Sequence, residues 1–311
     1  MNSHKNFEKA PIALFLYNRP LNTEDCLRSL MAMDEFKDSP LYIFIDGPKN
    51  KADKKSIEQI EFIIKNLKLS NLINLRKNIK NKGLANSIFS GVNYVLKRHK
   101  TIIVLEDDLI FHSKFLEFMN NCLSMYYKKE IFQISGFTWK NFSKNDYNKP
   151  ILIPNISSWG WATWKDKWEN FNLNCISKEN LKMNAHEKKK FNLNNSYNYY
   201  KILKKHYKGQ VNSWAIQWYY FVFKQNGYTI YPYKTLVRNN GFDGKGSHTF
   251  SSKKYFGNIN DKFNISYPDN LLYNIDNFTL FCQNLKLENK EKLTSKIKFK
   301  ASLYLKKLIR S

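Results

Sequence analysis

Four short apolar runs, each closed by a turn or a helix, constrain this chain more than any other feature of it. Pro11–Asn18 (PIALFLYN) is a β-rich run ending at Arg19-Pro20, and Leu41–Asp46 (LYIFID) is a second, stopped by Gly47-Pro48. A shorter run lies near Ile73–Asn78 (INLRKN), and the fourth, TIIVLEDDLI from Thr101 to Ile110, carries three consecutive acids. Between them the apolar spacing becomes helical: Thr23 is placed to cap a helix through EDCLRSLMAM, and a second helix covers about Ala52–Leu67. The segment NKGLANSIFSGVNYVLKRH reads as a loop opening into a third. This alternation predicts an α/β fold with a mainly parallel central sheet flanked by helices, and ligands then belong at the carboxyl ends of the strands.

Glu106-Asp107-Asp108 closes the strand Ile102–Leu105. Adjacent carboxylates repel one another unless something positive offsets them, and a divalent cation is the usual solution. One or two carboxylates completed by water and diphosphate oxygens describe Mn²⁺ or Mg²⁺ bound with a nucleotide.

Length and charge set the remaining bounds. The chain has 311 residues, 51 Lys plus Arg and 26 Asp plus Glu, a formal charge of +25. It is long enough to bury a substantial core without disulfide or metal support, and 42% hydrophobic residues exclude bulk disorder. Cys26, Cys122, Cys175 and Cys282 form no CxxC pair and are expected as reduced, mostly buried thiols. No signal-like or membrane-spanning apolar segment is seen, so a cytoplasmic location is expected. Residues 285–311 hold nine Lys or Arg and two acids, with Leu293, Ile297, Ala301, Tyr304 and Leu308 at helical spacing. That is a basic amphipathic helix suited to an anionic inner-membrane surface, which makes the protein peripheral there; a terminal helix packed on its own domain is the alternative.

The order of these blocks resembles the GT-A glycosyltransferases that use nucleotide sugars, in particular the N-glycan β-1,2-N-acetylglucosaminyltransferases and bacterial surface-polysaccharide enzymes. The blocks that carry the likeness are Asn18-Arg19-Pro20, Asp46, Lys82-Gly83-Leu84-Ala85-Asn86-Ser87 and VLEDDLIFHSKFLEFM. They continue with ISGF (Ile134–Phe137), SSWGWATWKDKW (Ser157–Trp168), SWAIQWYYFVFKQNGYTIYP and LVRNNGFDGKGSH. The resemblance covers roughly residues 11–250. It implies a Rossmann-like nucleotide-sugar half and an acceptor half within 1–255, followed by an extension over 256–284 and the tail helix 285–311. It also implies that Asn18, Arg19, Asp46, Lys82, Asn86 and Ser87 hold base, ribose and phosphate. By the same resemblance Asp107 is expected near the ribose, Asp108 as the direct metal ligand and Glu106 behind them.

His248 is a candidate to complete the metal site or bind diphosphate, and Lys245 to meet phosphate from a mobile loop carrying Gly241, Gly244 and Gly246. Trp159-Gly160-Trp161 is the candidate contact with sugar or diphosphate, because glycine lets backbone approach a ligand and tryptophan faces stack on sugar C–H surfaces. The other tryptophans read as core, including Trp214 and Trp218, four apart on one helix face. An inverting transfer, the expected course, needs a carboxylate base, and Ser135-Gly136-Phe137-Thr138-Trp139 holds no acid where relatives have one. Asn212 cannot serve. Asp243 and Asp166 are the remaining candidates, Asp243 preferred; a retaining course needs no such base and stays open.

The expected function is therefore metal-dependent transfer of a sugar from a nucleotide-diphosphate donor, a UDP-sugar by preference, to a glycan or lipid-linked saccharide acceptor in lipopolysaccharide or polysaccharide assembly. A basic nucleic-acid-binding protein is the first alternative, though no helix-turn-helix, finger, KH or RNP-like pattern supports it, so no nucleic-acid partner is expected. A nucleotidyltransferase-like α/β enzyme is the second; Tyr17-Asn18-Arg19-Pro20 has no glycine and cannot form a P-loop or Rossmann fingerprint.

Overall fold

Alternate side chains of the first apolar run enter different cores. This is what a strand buried on both faces requires. In the computed structural model, which describes residues 8–69, 73–139, 148–174, 176–241, 259 and 262–289, that run is β1 (Ile12–Leu16). It is followed by α1 (Pro20–Met31), β2 (Leu41–Ile45), α2 (Lys51–Asn66), β3 (Ile73–Lys77), α3 (Leu84–Leu96) and β4 (Thr101–Glu106). The chain continues through β5 (Leu109–Phe111), α4 (Phe115–Met125), β6 (Ile131–Ser135), β7 (Ile151–Ile153) and β8 (Trp161–Trp164). Next come the single turn α5 (Lys165–Trp168), α6 (Ala185–Phe191), α7 (Tyr199–Tyr207), α8 (Trp214–Lys224), β9 (Tyr228–Tyr231) and β10 (Val237–Asn239). A last helical stretch covers 275–289.

Eight strands form the central sheet in the order β3-β2-β1-β4-β8-β6-β9-β7, and β5 pairs with β10 in a small ribbon. The pairs β3–β2, β2–β1, β1–β4 and β6–β9 are parallel. Only β8 and β7 run against the rest. The mixed α/β sheet flanked by helices is the architecture expected from the alternation.

Ile12, Leu14 and Leu16 pack with Cys26, Leu27, Leu30, Ile57 and Ile60 under α1 and α2. Ala13 and Phe15 face the other way, toward Ile88, Val92, Trp161, Trp214 and Trp218 under α3 and α8. Each large apolar side chain so buried contributes roughly 1.5–3 kcal/mol, which fixes the register, because a one-residue slip would exchange the two faces. Trp161 lies 5.3 Å from Trp214 and 5.6 Å from Trp168, ring centre to ring centre, so the tryptophan-rich segment knits β8 to α8.

Two local expectations change. Helix α1 begins at Pro20, not after a Thr23 cap: proline's fixed φ and missing N–H suit the first helical position, and Thr23 is buried in the first turn, its N–H donating to Arg19 O. The fourth apolar run is two strands, and Asp107-Asp108 forms the turn between β4 and β5. Cys26, Cys122 and Cys282 are buried free thiols, as expected; Cys175 lies outside the described residues. Phe278, Phe281, Cys282 and Leu285 pack against β7 and β9. The tail reading falls mainly on 290–311, outside the described residues. Among the described residues no helix is long and apolar enough to cross a membrane.

Candidate functional site

The parallel register brings the carboxyl ends of β2, β1 and β4 side by side, with Phe15 paired to both Phe44 and Glu106. The loop leaving β1 therefore meets the acids leaving β4. Arg19 Nη1 lies 2.9 Å from Asp108 Oδ2 and 3.7 Å from Asp107 Oδ1. The Tyr17 N–H donates to Asp107 Oδ2 at 3.3 Å. From the β10 side, Asn240 N–H donates to the Asp108 carbonyl at 2.7 Å, and the Asn239 side chain hydrogen-bonds the Asp108 carboxylate. A Cβ on Gly241 would stand 2.3 Å from Asp108 Oδ2, so this position admits only glycine without moving the carboxylate.

Charge balance at the triplet is unfavourable. Burial, followed by the charges of Asp108 and Asp107, holds the Glu106 carboxyl well above its ordinary range. Burial and the Asp108 charge push Asp107 up to about 7, against the opposing pull of Arg19. Burial also raises Asp108, though Arg19 counters it by charge and hydrogen bond. Three carboxyls and one guanidinium leave room for further positive charge. Asp107 and Asp108 offer hard oxygen donors in a turn, a donor set that suits Mg²⁺ or Mn²⁺ when diphosphate and water fill the other positions. Among the described residues no group of three or more His, Cys, Asp or Glu is disposed to hold a metal by protein ligands alone.

Asp46 stands beside this site in a different role. Its Oδ1 accepts from the N–H groups of Gly47 and Lys82, both at 2.9 Å, and from Asn78 Nδ2 at 3.2 Å, while Oδ2 accepts from Gly83 N–H at 2.9 Å. The carboxylate thus ties the 78–83 loop to the end of β2 and leads Gly83, at φ 77°, into α3. Lys82 and Asn86 are exposed, Asn86 Nδ2 donating to Lys82 O. Ser87 is buried and its Oγ has no hydrogen-bond partner among the described residues.

Sequence reasoning missed Asp53. It accepts from Tyr17 Oη at 2.6 Å, Asn18 Nδ2 at 2.8 Å and Lys49 N–H at 3.0 Å, fixing the loops after β1 and β2 against each other. The Tyr17 bond, followed by that of Asn18, lowers its carboxyl below the ordinary value. Asn50, whose side chain caps α2 by accepting from Asp53 N–H, was the available signal.

Three expectations are corrected. Trp161 is 1% exposed, stacked on Trp214 and packed against the tilted rings of Trp168 and Trp218, so it is core and not a sugar platform. Gly160 has φ 59°, and a Cβ there would press on Phe115 and Val237 at 3.1 Å; its glycine answers an internal need rather than ligand approach. Asp166 follows β8, whose Trp164 pairs with Thr101 at the start of β4, about five residues or roughly 16 Å from the acids. It is exposed, hydrogen-bonded to Tyr127 Oη, and at the wrong end of the sheet for a base. Trp159, half-buried, packs at 4.4 Å on Phe137 and 5.8 Å from Trp139 at the acid-bearing end. Asp243, Lys245 and His248 lie outside the described residues.

Residues 42–157, rather more than a third of the chain, match the family model described as glycosyltransferase family 25 (LPS biosynthesis protein). That span includes Asp46, Lys82 and the acid triplet, and it agrees with the glycosyltransferase resemblance. No curated protein matches the chain. Among solved structures it is similar to the mannosyltransferase PcManGT from Pyrobaculum calidifontis in complex with GDP-Man and Mn²⁺, at 12% identity, TM-score 0.34, covering 52% of this chain and 49% of that one. It is similar to S. aureus TarS at 12% identity and TM-score 0.35, covering 50% and 47%. A 4-diphosphocytidyl-2C-methyl-D-erythritol synthase from Anaerococcus prevotii gives 11%, 0.38, 72% and 88%. The chain spans about half the length of the first two.

Proposed function

We propose, on the premise that residues 42–157 form a glycosyltransferase family 25 segment, that this chain transfers a sugar from a nucleotide-diphosphate donor, a UDP-sugar by preference, to a glycan or lipid-linked acceptor in surface-polysaccharide assembly. The observation that carries the reading is the contact of Arg19 with Asp108 at 2.9 Å, which joins the first loop to the acids at the carboxyl edge of the parallel strands. Asn18 and Tyr17, held by Asp53, and the backbone held by Asp46 form the wall on which base and ribose lie. Asp108, aided by Asp107, would hold Mn²⁺ or Mg²⁺, and such an ion would supply positive charge against the diphosphate leaving group. Arg19 adds a guanidinium to the same phosphate side.

In an inverting transfer the acceptor hydroxyl attacks the anomeric carbon while a carboxylate takes its proton, and Asp243 is the base in this reading. Lys245 and His248 belong to it as phosphate and metal partners. Trp159 is the sugar-facing tryptophan, and the tail over 285–311 meets an anionic membrane surface. A panel of nucleotide sugars, tested for thermal stabilisation with and without Mn²⁺ and for transfer to lipid-extracted acceptors, checks the proposal. One nucleotide sugar should stabilise the protein in Mn²⁺ and be consumed. A nucleotide sugar behaving no differently from its free nucleotide would favour a nucleotidyltransferase instead.

A further inference from the structure

A lysine face remains outside the site. From Lys178 to Lys208 the chain has nine lysines and two acids, net +7. Both acids are engaged locally: Glu187 completes the capping box of α6 with Asn184, and Glu179 is hydrogen-bonded to Ser177 and its own backbone. Among the described residues none of the nine lysines joins an ion pair. On α7 and its C-cap, Lys201, Lys204, Lys205 and Lys208 recur at i, i+3, i+4 and i+7, so they make one exposed stripe, while Leu203 is buried. Lys188 of α6 joins it: its Nζ and that of Lys204 both lie 5.1 Å from the Tyr200 ring centre. Ammonium groups so gathered repel one another, and an anionic partner relieves that cost.

The position of the stripe matters as much as its charge. The Ser213 N–H, at the cap of α8, donates to His206 Nδ1 near the end of α7. Trp214, the first residue of α8, stacks on Trp161, which pairs with Val104 two residues before Glu106. The basic end of α7 therefore lies toward the edge of the sheet that carries the acids.

We infer that the α6–α7 lysine face docks the protein on an anionic lipid bilayer, independently of the 285–311 tail. All nine cations are lysines, whose hydrated point charges suit a planar field of lipid phosphates; nucleic-acid surfaces favour arginine forks and open aromatic platforms. Here the Tyr200 ring is covered by two lysines, and Tyr207, 44% exposed, stands at the end of the stripe as an interfacial side chain. The apolar face of α7 is buried against α8, so docking is electrostatic and salt-sensitive, without insertion.

Flotation of the full chain with phosphatidylcholine vesicles, with and without phosphatidylglycerol, tests this. The protein should float only with anionic vesicles and release at high salt. The K201E/K204E/K205E/K208E variant should lose about tenfold or more of that partitioning. The neutralising K201Q/K204Q/K205Q/K208Q variant, gentler on the fold, should move in the same direction. K51E/K54E/K55E/K65E on α2, on the opposite face of the sheet and with the same charge change, should retain binding. Wild-type partitioning by both α7 variants, equal loss in the α2 control, or binding to a single-stranded oligonucleotide without binding to vesicles overturns the inference. No transfer is measured, so the outcome is separate from the transferase reading.

Discussion

Asp46 and Asp53, beyond β2, and Asp107 and Asp108, beyond β4, are carboxylates near one edge of one sheet held in opposite ways. Asp46 accepts four hydrogen bonds, three from backbone N–H groups, and Asp53 accepts from Tyr17, Asn18 and Lys49. Asp107 and Asp108, with Glu106, share the guanidinium of Arg19, and burial drives all three carboxyls upward. A carboxylate saturated by donors builds a wall, whereas one left short of positive charge keeps affinity for a cation or a cationic ligand. Residue type alone does not separate the two; the donors around each do.

The contrast can be broken in graded steps. Asp46→Ala should have the largest effect on stability, about 2–4 kcal/mol in urea denaturation, because buried backbone donors lose a charged acceptor. Equal stability would mean that the 78–83 loop holds itself. Gly241→Ala should leave the melting temperature nearly unchanged yet weaken Mn²⁺-dependent nucleotide-sugar binding about tenfold, since its Cβ displaces the Asp108 carboxylate. Asp53→Asn should act mainly through pH. Its folded value is depressed, so its contribution to stability is present above the unfolded value and lost as pH falls through the folded one. The variant should therefore show a flatter loss of stability below about pH 4. Asp166→Asn should change transfer least of all, within about twofold, because it stands at the far end of β4; a large loss would return it to the reaction.

The sheet and the acid triplet were legible because both are written locally. Apolar runs of strand length mark β1, β2 and β4, and the acids follow one of them directly. Asp53 was not legible, since its bond to Tyr17 spans 36 residues and only the fold brings the two together. The reversal of β8 leaves no trace in periodicity, so Trp161 could be read as surface until its pairing with Val104 and Ser135 placed it inside. Asp166 was misread for the same reason: an antiparallel strand carries its following residues away from the site. The position of α1 turned on Pro20, whose fixed φ set the start of the helix in place of a hydroxyl cap at Thr23.

The contrast between saturated and under-compensated carboxylates meets its most direct test in calorimetric titration of Mn²⁺ into the protein with UDP-sugar present, for wild type and for the Asp107→Asn/Asp108→Asn double variant. Wild type should bind Mn²⁺ and the nucleotide sugar together, each tightening the other, while the folded variant should lose at least about tenfold in Mn²⁺ affinity. Equal affinity in the two proteins, or nucleotide-sugar binding by wild type indifferent to Mn²⁺, would contradict a cation site at the end of β4.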